Sequence, residues 1–356
     1  MRKTALIMAG GRGERFWPKS RVGKPKQFLA LTDDKKTMIQ LTVERILPLV
    51  KMEDIFVATV RDYYTLVREQ LPELPAENIL CEPVGKNTAP CIGLGAVHMA
   101  RRHGDAVMFV LPSDHLITNQ DIFLDTLADA AALAEDGQNL VTLGIRPESP
   151  ETGYGYIKIK GGQADCGAYV VERFVEKPDL ETAKEYLASG QYLWNSGMFV
   201  WKVSTILNNL ERHLPEIYRG LCRIREAIGN DEEYAVLQEE FTAFRAESID
   251  YGVMEKAENI YTLTGRFGWD DVGSWLAVAR LKKADEMGNV FSGNVVDTGV
   301  RNCIVQGEKR VIALVGVEDL VVVDTEDALL VCNKKCTGEI RRVLQQLSAH
   351  KRITYL

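Results

Sequence analysis

The sequence predicts an α/β fold built on a mostly parallel sheet. Over the first 150 residues, short apolar runs alternate with amphipathic stretches. This alternation is typical of strands joined by helices that cover both faces of a sheet. A glycine-rich, basic segment follows the first apolar run, and from about residue 285 the pattern changes to short β-rich pieces. A second, smaller domain is therefore predicted at the end of the chain.

The elements of the first 150 residues follow from apolar periodicity. Buried strands are predicted at Thr4–Met8, Ile55–Val60, Ile79–Cys81, Ala106–Leu111 and Leu140–Leu143. Helices are predicted where Ile39, Val43, Ile46 and Val50 share one face, at Thr88–His103 and at Asp121–Glu135. Thr37 and Gln40 fit a capping box at the start of the first of these helices.

The rest of the chain is mixed. Strands are predicted at Tyr154–Ile159, Tyr169–Glu176, Gly197–Lys202 and Ile260–Thr264, with a largely helical region over 203–259. Further short strands are predicted at Asn294–Val296, Cys303–Gln306, Val311–Val315 and Leu320–Asp324, before a helical tail. We therefore expect one domain over 1–284 and a small β-rich domain with a terminal helix over 285–356.

Composition excludes several classes of protein. The 43 basic and 50 acidic residues give a net charge of -7 without a long block of one sign, which argues against nucleic-acid binding. No apolar run approaches the roughly 18 residues that span a membrane, so no membrane partner is expected. The seven scattered cysteines, Cys166 among them, are typical of a reducing compartment. We expect a cytoplasmic protein.

The segment after the first strand has the composition of a phosphate-binding loop. Gly10, Gly11 and Gly13 allow the backbone to approach an anion closely, and successive N–H groups can then cradle it. Arg15 and Lys26 are two of the five cations that follow within fifteen residues. A solvated basic turn is the alternative interpretation of this segment.

Two common glycine motifs do not fit this loop. A dinucleotide-binding fingerprint would have a third glycine where Phe16 stands, and Pro18 would disturb the helix that this motif requires. A Walker A loop needs Ser or Thr after its lysine, but Pro25 follows Lys24.

Two aspartates are candidates for a metal site. Asp114 follows the strand that ends near Leu111, and Asp271 lies in a Trp-Asp-Asp-Val-Gly-Ser-Trp segment. Transfer of a phosphoryl-type group needs alignment and charge neutralisation, and Mg²⁺ is typically held by one or two carboxylates together with substrate phosphates. An isolated aspartate after a strand is more often a turn or cap residue, so the residues alone leave both interpretations open.

Three motifs together resemble a known family. Gly10-Gly11-x-Gly13-x-Arg15, Trp17-Pro18-x-Ser20-Arg21 and Pro25-Lys26-Gln27-Phe28 resemble the signature of the sugar-1-phosphate nucleotidyltransferases. The last two motifs resemble the forms of the mannose-1-phosphate guanylyltransferase branch. The resemblance covers roughly residues 3–280, and the sequence departs from it at Arg12 and Glu14, where Ser and Thr are usual.

The resemblance implies a fold and a catalytic centre. It implies a Rossmann-like nucleotidyltransferase fold with a mixed, mostly parallel sheet and a β-helix-like C-terminal segment. Arg15 and Lys26 match the residues that hold the triphosphate and stabilise departing pyrophosphate. Asp114 and Asp271 match the aspartates that bind Mg²⁺.

The resemblance also implies recognition sites. Glu82, Asn87 and Thr88 match the nucleotide-binding segment, although Asn87 or Thr88 could simply cap the following helix. The sugar-binding residues implied by the same resemblance are Gly155, Glu176 and Asn195, and Lys177 matches the lysine that positions the sugar's phosphate.

The expected reaction is transfer of GMP from GTP to mannose 1-phosphate, with a homodimer as the implied assembly. A nucleotidyltransferase that uses another sugar 1-phosphate, such as a heptose or glucose derivative, or another nucleotide, such as UTP or dTTP, remains an alternative. A catalytically silent homologue that senses GDP-mannose is the alternative from a different class.

Overall fold

The computed structural model describes residues 1–32, 35–161 and 167–356. The chain divides into two compact units, each built from separate segments. Unit 1 comprises Met1–Gly10, Thr42–Ser113 and Ile117–Trp269. Unit 2 comprises Gly11–Leu41, Asp114–Leu116 and Asp270–Leu356. The division of the sequence at residues 284 and 285 stays a prediction.

The strands, numbered in chain order, begin with β1 at Lys3–Met8. They continue with β2 Ile55–Val60, β3 Ile79–Glu82, β4 Val107–Pro112, β5 Leu116–Ile117, β6 Leu140–Ile145, β7 Tyr156–Ile159, β8 Ala168–Val175, β9 Tyr192–Lys202, β10 Ile260–Gly265 and β11 Trp269–Asp270. The last six are β12 Val290–Ser292, β13 Val295–Thr298, β14 Ile304–Gln306, β15 Ile312–Val315, β16 Leu320–Asp324 and β17 Leu329–Asn333. The strands predicted before residue 150 all form, with ends shifted by at most a few residues.

The α-helices are α1 Met38–Ile46, α2 Tyr64–Gln70, α3 Thr88–His103, α4 Gln120–Glu135, α5 Leu180–Ser189, α6 Val203–His213, α7 Pro215–Ala227, α8 Glu233–Ala243, α9 Trp275–Arg280 and α10 Ile340–Ala349. A short π-helix covers Asp250–Met254. At the start of α1, Gln40 Oε1 accepts the Thr37 N–H at 2.9 Å, which is one of the two hydrogen bonds of the predicted capping box. No helix in the described part of the chain combines the length and apolar character needed to cross a membrane.

Helix α5 was not predicted from the sequence, although its ends carry clear signals. Asp179 Oδ1 accepts the Thr182 N–H at 2.8 Å and caps the first turn. Gly190 ends the helix with a φ of 66°, the left-handed conformation that glycine adopts readily. An Asp and a Gly eleven residues apart, with a helical pattern between them, could have identified this helix.

Unit 1 is organised by a mixed sheet of nine strands among the described residues. The order is β3-β2-β1-β4-β9-β6-β10-β8-β7. β3, β2, β1 and β4 are parallel neighbours, β6 and β10 are also parallel, and β9 and β8 pair with antiparallel neighbours. Of the described strands of this sheet, only β8 and β9 run against the others, so the predicted mixed and mostly parallel sheet is confirmed.

The main core of unit 1 is formed by the sheet and the helices α3, α6 and α7. Leu6 and Val110 of the sheet, Ile92 of α3 and Leu221 of α7 are fully buried members of one hydrophobic cluster. The carboxyl ends of β1 and β3 therefore stand on a rigid base, and loops with polar residues follow them. Ligands of open α/β sheets bind beyond such strand ends.

The β-rich part of unit 2 is a small β-helix. β12, β14 and β16 are parallel neighbours in one sheet, and β13 pairs in parallel with β15 in another. Consecutive strands thus alternate between two sheets, as they do when a chain winds into stacked coils. The antiparallel strand β17 ends the larger sheet, and α10 follows. The predicted C-terminal β-rich segment with a terminal helix is confirmed.

One hydrophobic core joins three separate stretches of unit 2. It combines the opening segment of the unit, the segment around α9, and the β-helix with α10. Its buried members are Phe16, Trp17, Leu29, Leu31, Met38, Val272, Trp275, Val278, Ile304, Val321, Val323, Leu330 and Ile340. Phe16 packs edge-on against Trp275 with ring centroids 5.3 Å apart. The β-helix therefore supports the segment that follows β1.

The contribution of this shared core to the stability of unit 2 can be measured. Ile304 is 5% exposed, so Ile304→Ala leaves a cavity and should lower the free energy of unfolding of unit 2 by about 2–5 kcal/mol. Denaturant unfolding followed by tryptophan fluorescence measures this loss. Val315, 71% exposed on β15, is the control, and Val315→Ala should change stability by less than about 0.5 kcal/mol. Equal losses in the two variants would contradict the role of the core.

Candidate active site

In unit 2 the loop after β1 and the segment around Lys26 approach each other closely. Gly13 adopts a left-handed conformation with a φ of 60°. A Cβ added to Gly13 would lie 2.5 Å from both the backbone N and the Cβ of Lys26, a distance that real atoms do not tolerate. Only glycine therefore fits at position 13, for its conformation and for its lack of a side chain.

Lys26 is the centre of a buried ionic cluster. Its Nζ lies 2.8 Å from Asp114 Oδ2 and 2.6 Å from the carbonyl oxygen of Asp271. Its side chain is only 6% exposed. The Nζ also lies 5.8 Å from the centroid of the Phe16 ring. The structure therefore brings together three residues predicted from separate motifs: Lys26, Asp114 and Asp271.

The electrostatics of this cluster favour an ionised Asp114. Burial by itself would raise the pKa of Asp114, but the charges of Lys26, His115 and Arg15 and the hydrogen bond from Lys26 lower it by more. The net result is a pKa below the ordinary value of an aspartic acid. The Asp114 side chain is still one-third exposed, so an anionic carboxylate is accessible from outside the protein.

The segment around Asp271 holds its carboxylate by local contacts. Asp271 Oδ1 accepts the N–H of Gly273 at 3.0 Å. The neighbouring Asp270 accepts the N–H of Val272 at 2.7 Å and pairs with Arg280 at 2.8 Å. Both carboxylates thus accept a backbone N–H, Asp270 in addition pairs with Arg280, and the choice of Asp271 as a metal ligand stays a prediction.

The donors of this cluster fit a metal that is shared with a substrate. The described residues contain no group of three or more His, Cys, Asp or Glu side chains able to hold a metal alone. The ionised Asp114 carboxylate beside Lys26 suits a hard cation that takes further ligands from phosphate oxygens and water, and the Asp271 carboxylate stays a second candidate ligand. The cluster therefore fits an ion that binds together with a phosphorylated substrate.

The other residues of the predicted phosphate-binding loop make different contacts. The carbonyl oxygen of Gly11 accepts a hydrogen bond at 2.8 Å from the side chain of Gln27, a buried residue to which sequence reasoning gave no role. Arg15 is exposed, and its charge contributes to the low pKa of Asp114. Gly10, in unit 1, lies near Glu82: a Cβ at Gly10 would be 3.5 Å from Glu82 Oε2.

Glu82 is an unusual carboxyl group at the end of β3. It is 4% exposed, and its Oε1 has no hydrogen-bond partner among the described residues. Burial raises the pKa of Glu82 to about 7, and a hydrogen bond with Cys91 opposes this only in part. A buried carboxyl oxygen without a partner is expected where a ligand supplies the hydrogen bond.

Asn87 and Thr88 have structural roles at the start of α3. Asn87 Oδ1 accepts the N–H of Thr88 at 2.8 Å, so the interpretation of Asn87 as a helix cap is confirmed. Thr88 Oγ1 accepts the N–H of Ile249 at 2.8 Å. These contacts hold the segment after Glu82 in place, and contact of either side chain with a nucleotide stays a prediction.

The predicted sugar-binding residues of unit 1 lie together. Lys177 Nζ pairs with Glu176 Oε1 at 2.6 Å, and the Asn195 N–H donates to the carbonyl oxygen of Gly155 at 2.8 Å. A Cβ on Gly155 would lie 2.5 Å from Glu176 Oε2, so a side chain at position 155 would displace this carboxylate. Lys177 is 60% exposed and its ammonium is accessible.

Asp250 is a member of this group that sequence reasoning missed. Asn195 Nδ2 donates to Asp250 Oδ1 at 2.8 Å, which orients the Asn195 amide. Burial and the charge of Glu176 raise the pKa of Asp250 to about 6, against the opposing hydrogen bond from Asn195. The only signal in the sequence is an acidic residue between the apolar Ile249 and Val253 in a helical region.

Backbone strain marks the same segments. Among the described non-glycine residues with positive φ are Asn87 at 69°, Lys177 at 44° and Val272 at 45°. A β-branched residue such as Val272 is a genuine outlier in this region. Such conformations cost about 1–3 kcal/mol each and persist where the surroundings impose them, often at functional sites. Each of three predicted motifs thus contains one residue with a strained, positive φ.

The raised pKa of Glu82 predicts a pH dependence of stability. The carboxyl group keeps its proton in the folded chain up to about pH 7, whereas in the unfolded chain it loses the proton near its ordinary pKa of 4.5. The contribution of Glu82 to stability is therefore complete below pH 4.5 and is lost as the pH rises towards 7. Glu82→Gln removes this loss, so the melting temperature of the variant relative to the unchanged protein should rise between pH 4.5 and pH 7.

The control is the exposed Glu73, which water solvates in the folded and the unfolded chain. For Glu73→Gln the difference in melting temperature should not vary over the same pH range. Thermal unfolding of both variants in a series of buffers measures the effect. A Glu82→Gln difference that stays constant with pH would show that burial does not control this carboxyl group.

Comparison with known proteins identifies the family. The nucleotidyl transferase family model matches residues 4–287, and a MannoseP isomerase/GMP-like β-helix domain model matches residues 293–347. A Vibrio cholerae protein named putative mannose-1-phosphate guanylyltransferase is 41% identical over 98% of this chain and 75% of its own length. The mannose-1-phosphate guanylyltransferase of Escherichia coli K12 is 41% identical over 98% of this chain and 74% of its own length.

A solved structure agrees with these relatives. The crystal structure of a Thermus thermophilus protein described as a mannose-1-phosphate geranyltransferase is 38% identical to this chain. It matches with a TM-score of 0.88 over 98% of this chain and 100% of that protein. This chain therefore belongs to the nucleotidyl transferase family, in the branch whose curated relatives are named mannose-1-phosphate guanylyltransferase.

Proposed function

We propose that this enzyme transfers GMP from GTP to α-D-mannose 1-phosphate and releases GDP-mannose and pyrophosphate. The names of relatives about 40% identical to nearly the whole chain support this substrate pair. The observation that carries the proposal is the cluster in which Lys26 joins the Asp114 carboxylate to the Asp271 backbone. It combines a buried cation and two acidic residues, the groups that a triphosphate and its metal require.

The chemistry needs no covalent intermediate on the protein. A phosphate oxygen of mannose 1-phosphate forms a bond to the α-phosphorus of GTP, and the bond from that phosphorus to the β-bridging oxygen breaks in line with it. The attacking group is already an anion, so no side chain has to remove a proton. The protein aligns the reactants and stabilises the charge that builds up on the departing pyrophosphate.

Lys26 and Arg15 are the residues proposed to stabilise the pyrophosphate. An ammonium group has three N–H donors, and Lys26 uses two of them for Asp114 and Asp271. The third can reach a phosphate oxygen. Gly10, Gly11 and Gly13 would offer backbone N–H groups to the same phosphates, and the exposed Arg15 would add a second charge.

A divalent cation is common among nucleotidyltransferases, and we infer that here it is Mg²⁺ bound by Asp114 and Asp271. When bound, Mg²⁺ would neutralise phosphate charge and orient the triphosphate. The low pKa of Asp114 supports this assignment, because its carboxylate is ionised at neutral pH.

Recognition of the base is assigned to the segment at the end of β3. Guanine carries two adjacent N–H donors on its Watson–Crick edge, and a carboxylate can accept both. The buried Glu82, whose Oε1 has no partner among the described residues, is suited to this pairing once it has lost its proton. Asn87 and Thr88 are proposed to shape the segment and line the nucleotide.

Recognition of the sugar is assigned to Gly155, Glu176, Lys177 and Asn195. The Glu176 carboxylate and the Asn195 amide can bind pyranose hydroxyl groups, and glycine at position 155 lets the ring approach the backbone. Lys177 is accessible and can position the attacking phosphate. Asp250 would hold the Asn195 amide in its orientation.

We also infer a cytoplasmic homodimer. The six cysteines of the described chain are unpaired, in agreement with a reducing compartment, while Cys166 lies outside the described residues. The homodimer is supported by the family resemblance. Size-exclusion chromatography with light scattering tests the assembly.

The substrate pair is tested by measuring pyrophosphate release over a grid of nucleoside triphosphates and sugar 1-phosphates, with and without Mg²⁺. GTP with mannose 1-phosphate should give the highest kcat/KM, and removal of Mg²⁺ by EDTA should abolish turnover. A higher kcat/KM for another pair would reassign the substrates. The absence of turnover for every pair would instead favour a homologue that only senses GDP-mannose.

The role of Asp114 is tested by Asp114→Asn. Asparagine keeps an oxygen for the hydrogen bond from Lys26 but removes the negative charge, so the fold should hold while kcat falls by about two to three orders of magnitude. Asp125→Asn, an exposed change on α4, is the control and should leave kcat unchanged. Pyrophosphate release and thermal unfolding measure both effects, and a normal kcat in Asp114→Asn would refute the assignment.

A further inference from the structure

Unit 2 contains a cavity on the α10 side of the segment that follows the predicted phosphate-binding loop. Its volume is about 490 Å³. Arg12, Trp17, Ser20 and Arg21 line one side, and Arg341 and Leu344 of α10 line the other. The buried cluster of Lys26, Asp114 and Asp271 does not line this cavity.

Three guanidinium groups face this cavity from different parts of the chain. Arg21 pairs with Asp327 at 2.7 Å and donates to the carbonyl oxygens of Pro18 and Ser20. Arg341 lies 3.7 Å from Glu14. Each guanidinium has five N–H donors, so these contacts leave donors for a ligand. Arg12 is exposed and forms no ion pair with another described residue. Among the described residues that line the cavity, Glu14 and the terminal carboxylate of Leu356 are the negative groups, and the three guanidinium groups outnumber them.

Ser20 gives independent support for a ligand. Its side chain is buried, with 2% exposure, and Ser20 Oγ has no hydrogen-bond partner among the described residues. Leaving a buried hydroxyl group unpaired costs free energy. An anion bound beside the arginines would accept a hydrogen bond from this hydroxyl.

The remaining wall of the cavity is apolar. Trp17 and Leu344 form it, and the guanidinium of Arg21 lies 5.7 Å from the centroid of the Trp17 ring. A volume of about 490 Å³ exceeds what a bare inorganic ion fills and lies within the usual range for small-molecule sites. The cavity therefore suits a molecule with one strongly anionic end and one apolar or flat end.

We propose that this cavity binds a small organic phosphate at a site separate from the substrates. A phosphate monoester carries close to two negative charges and three acceptor oxygens. It can therefore accept hydrogen bonds from several guanidinium groups at once, which a single carboxylate does less well. The departure from the family pattern at Arg12 and Glu14 belongs to the same site. Arg12 adds a cation, and Glu14 orients Arg341.

Phenyl phosphate is a suitable probe, because it joins a phosphate to a small flat ring. Its Kd for the full-length protein is measured by isothermal titration calorimetry without substrates. Arg341→Gln should weaken binding by roughly tenfold, the loss expected for one charge-assisted hydrogen bond. Arg342→Gln is the matched control, since the adjacent Arg342 is 77% exposed, pairs with Glu339 and does not line the cavity. Its Kd should not change.

Three further measurements make the proposal falsifiable. Gln345→Glu places a negative charge in the cavity wall and should also weaken the binding of phenyl phosphate. This variant provides the test if Arg341→Gln folds poorly. Benzoate should bind more weakly than phenyl phosphate. Arg341→Gln should keep the basal rate of pyrophosphate release, since Arg341 is not one of the residues proposed to bind the substrates.

Other results would overturn the proposal. Equal affinities for phenyl phosphate in the Arg341→Gln and Arg342→Gln variants would place the probe elsewhere. Equal affinities for benzoate and phenyl phosphate would remove the specificity for phosphate. The absence of measurable binding to the unchanged protein would show that the cavity is not a binding site.

Discussion

The hydrogen bonds of the Lys26 ammonium group are the interaction on which the rest of the site depends. A nearly buried charge is tolerable only when anionic or polar partners surround it. Asp114 and the Asp271 carbonyl provide those partners, 88 and 245 residues away along the chain. The requirement to satisfy one ammonium group therefore fixes where three distant loops of unit 2 meet. The same contacts keep Asp114 ionised, which its proposed role as a metal ligand requires.

Packing holds this arrangement in a strained form. Val272 has a left-handed backbone, yet its side chain is completely buried in the core of unit 2. Burial of a valine side chain contributes roughly 1.5–3 kcal/mol, enough to offset a strain of about 1–3 kcal/mol. The strain next to Asp271 thus persists because the core imposes it. This rigidity suits a reaction that depends on alignment more than on proton transfer.

The β-helix of unit 2 also supports the residues of the candidate site. Phe16 and Trp17, which follow the predicted phosphate-binding loop, share one core with Val321 and Val323 of the β-helix. Trp17 Nε1 also donates to the carbonyl oxygen of Tyr355 at 2.7 Å, near the end of the chain. The C-terminal segment is therefore bound into the support of the loop, and the arginine-lined cavity lies where the two meet. A ligand in that cavity would contact the loop residues directly.

The sequence by itself determined the α/β class, the strands of the first 150 residues, the helices α3 and α4, and the C-terminal β-rich segment. These features are readable because local periodicity and chain order encode them. The sequence also predicted the candidate residues, through short motifs in which the spacing of glycines and charges is local.

Only the tertiary structure decided what these residues contact. The pairing of Lys26 with Asp114 and the orientation of Asn195 by Asp250 join residues far apart in the chain. The contact of Gln27 with Gly11 and the burial that raises the pKa of Glu82 also depend on how the chain packs. Desolvation and hydrogen-bond geometry depend on every neighbour that folding brings near. A motif specifies which groups are available, and packing decides which of them meet.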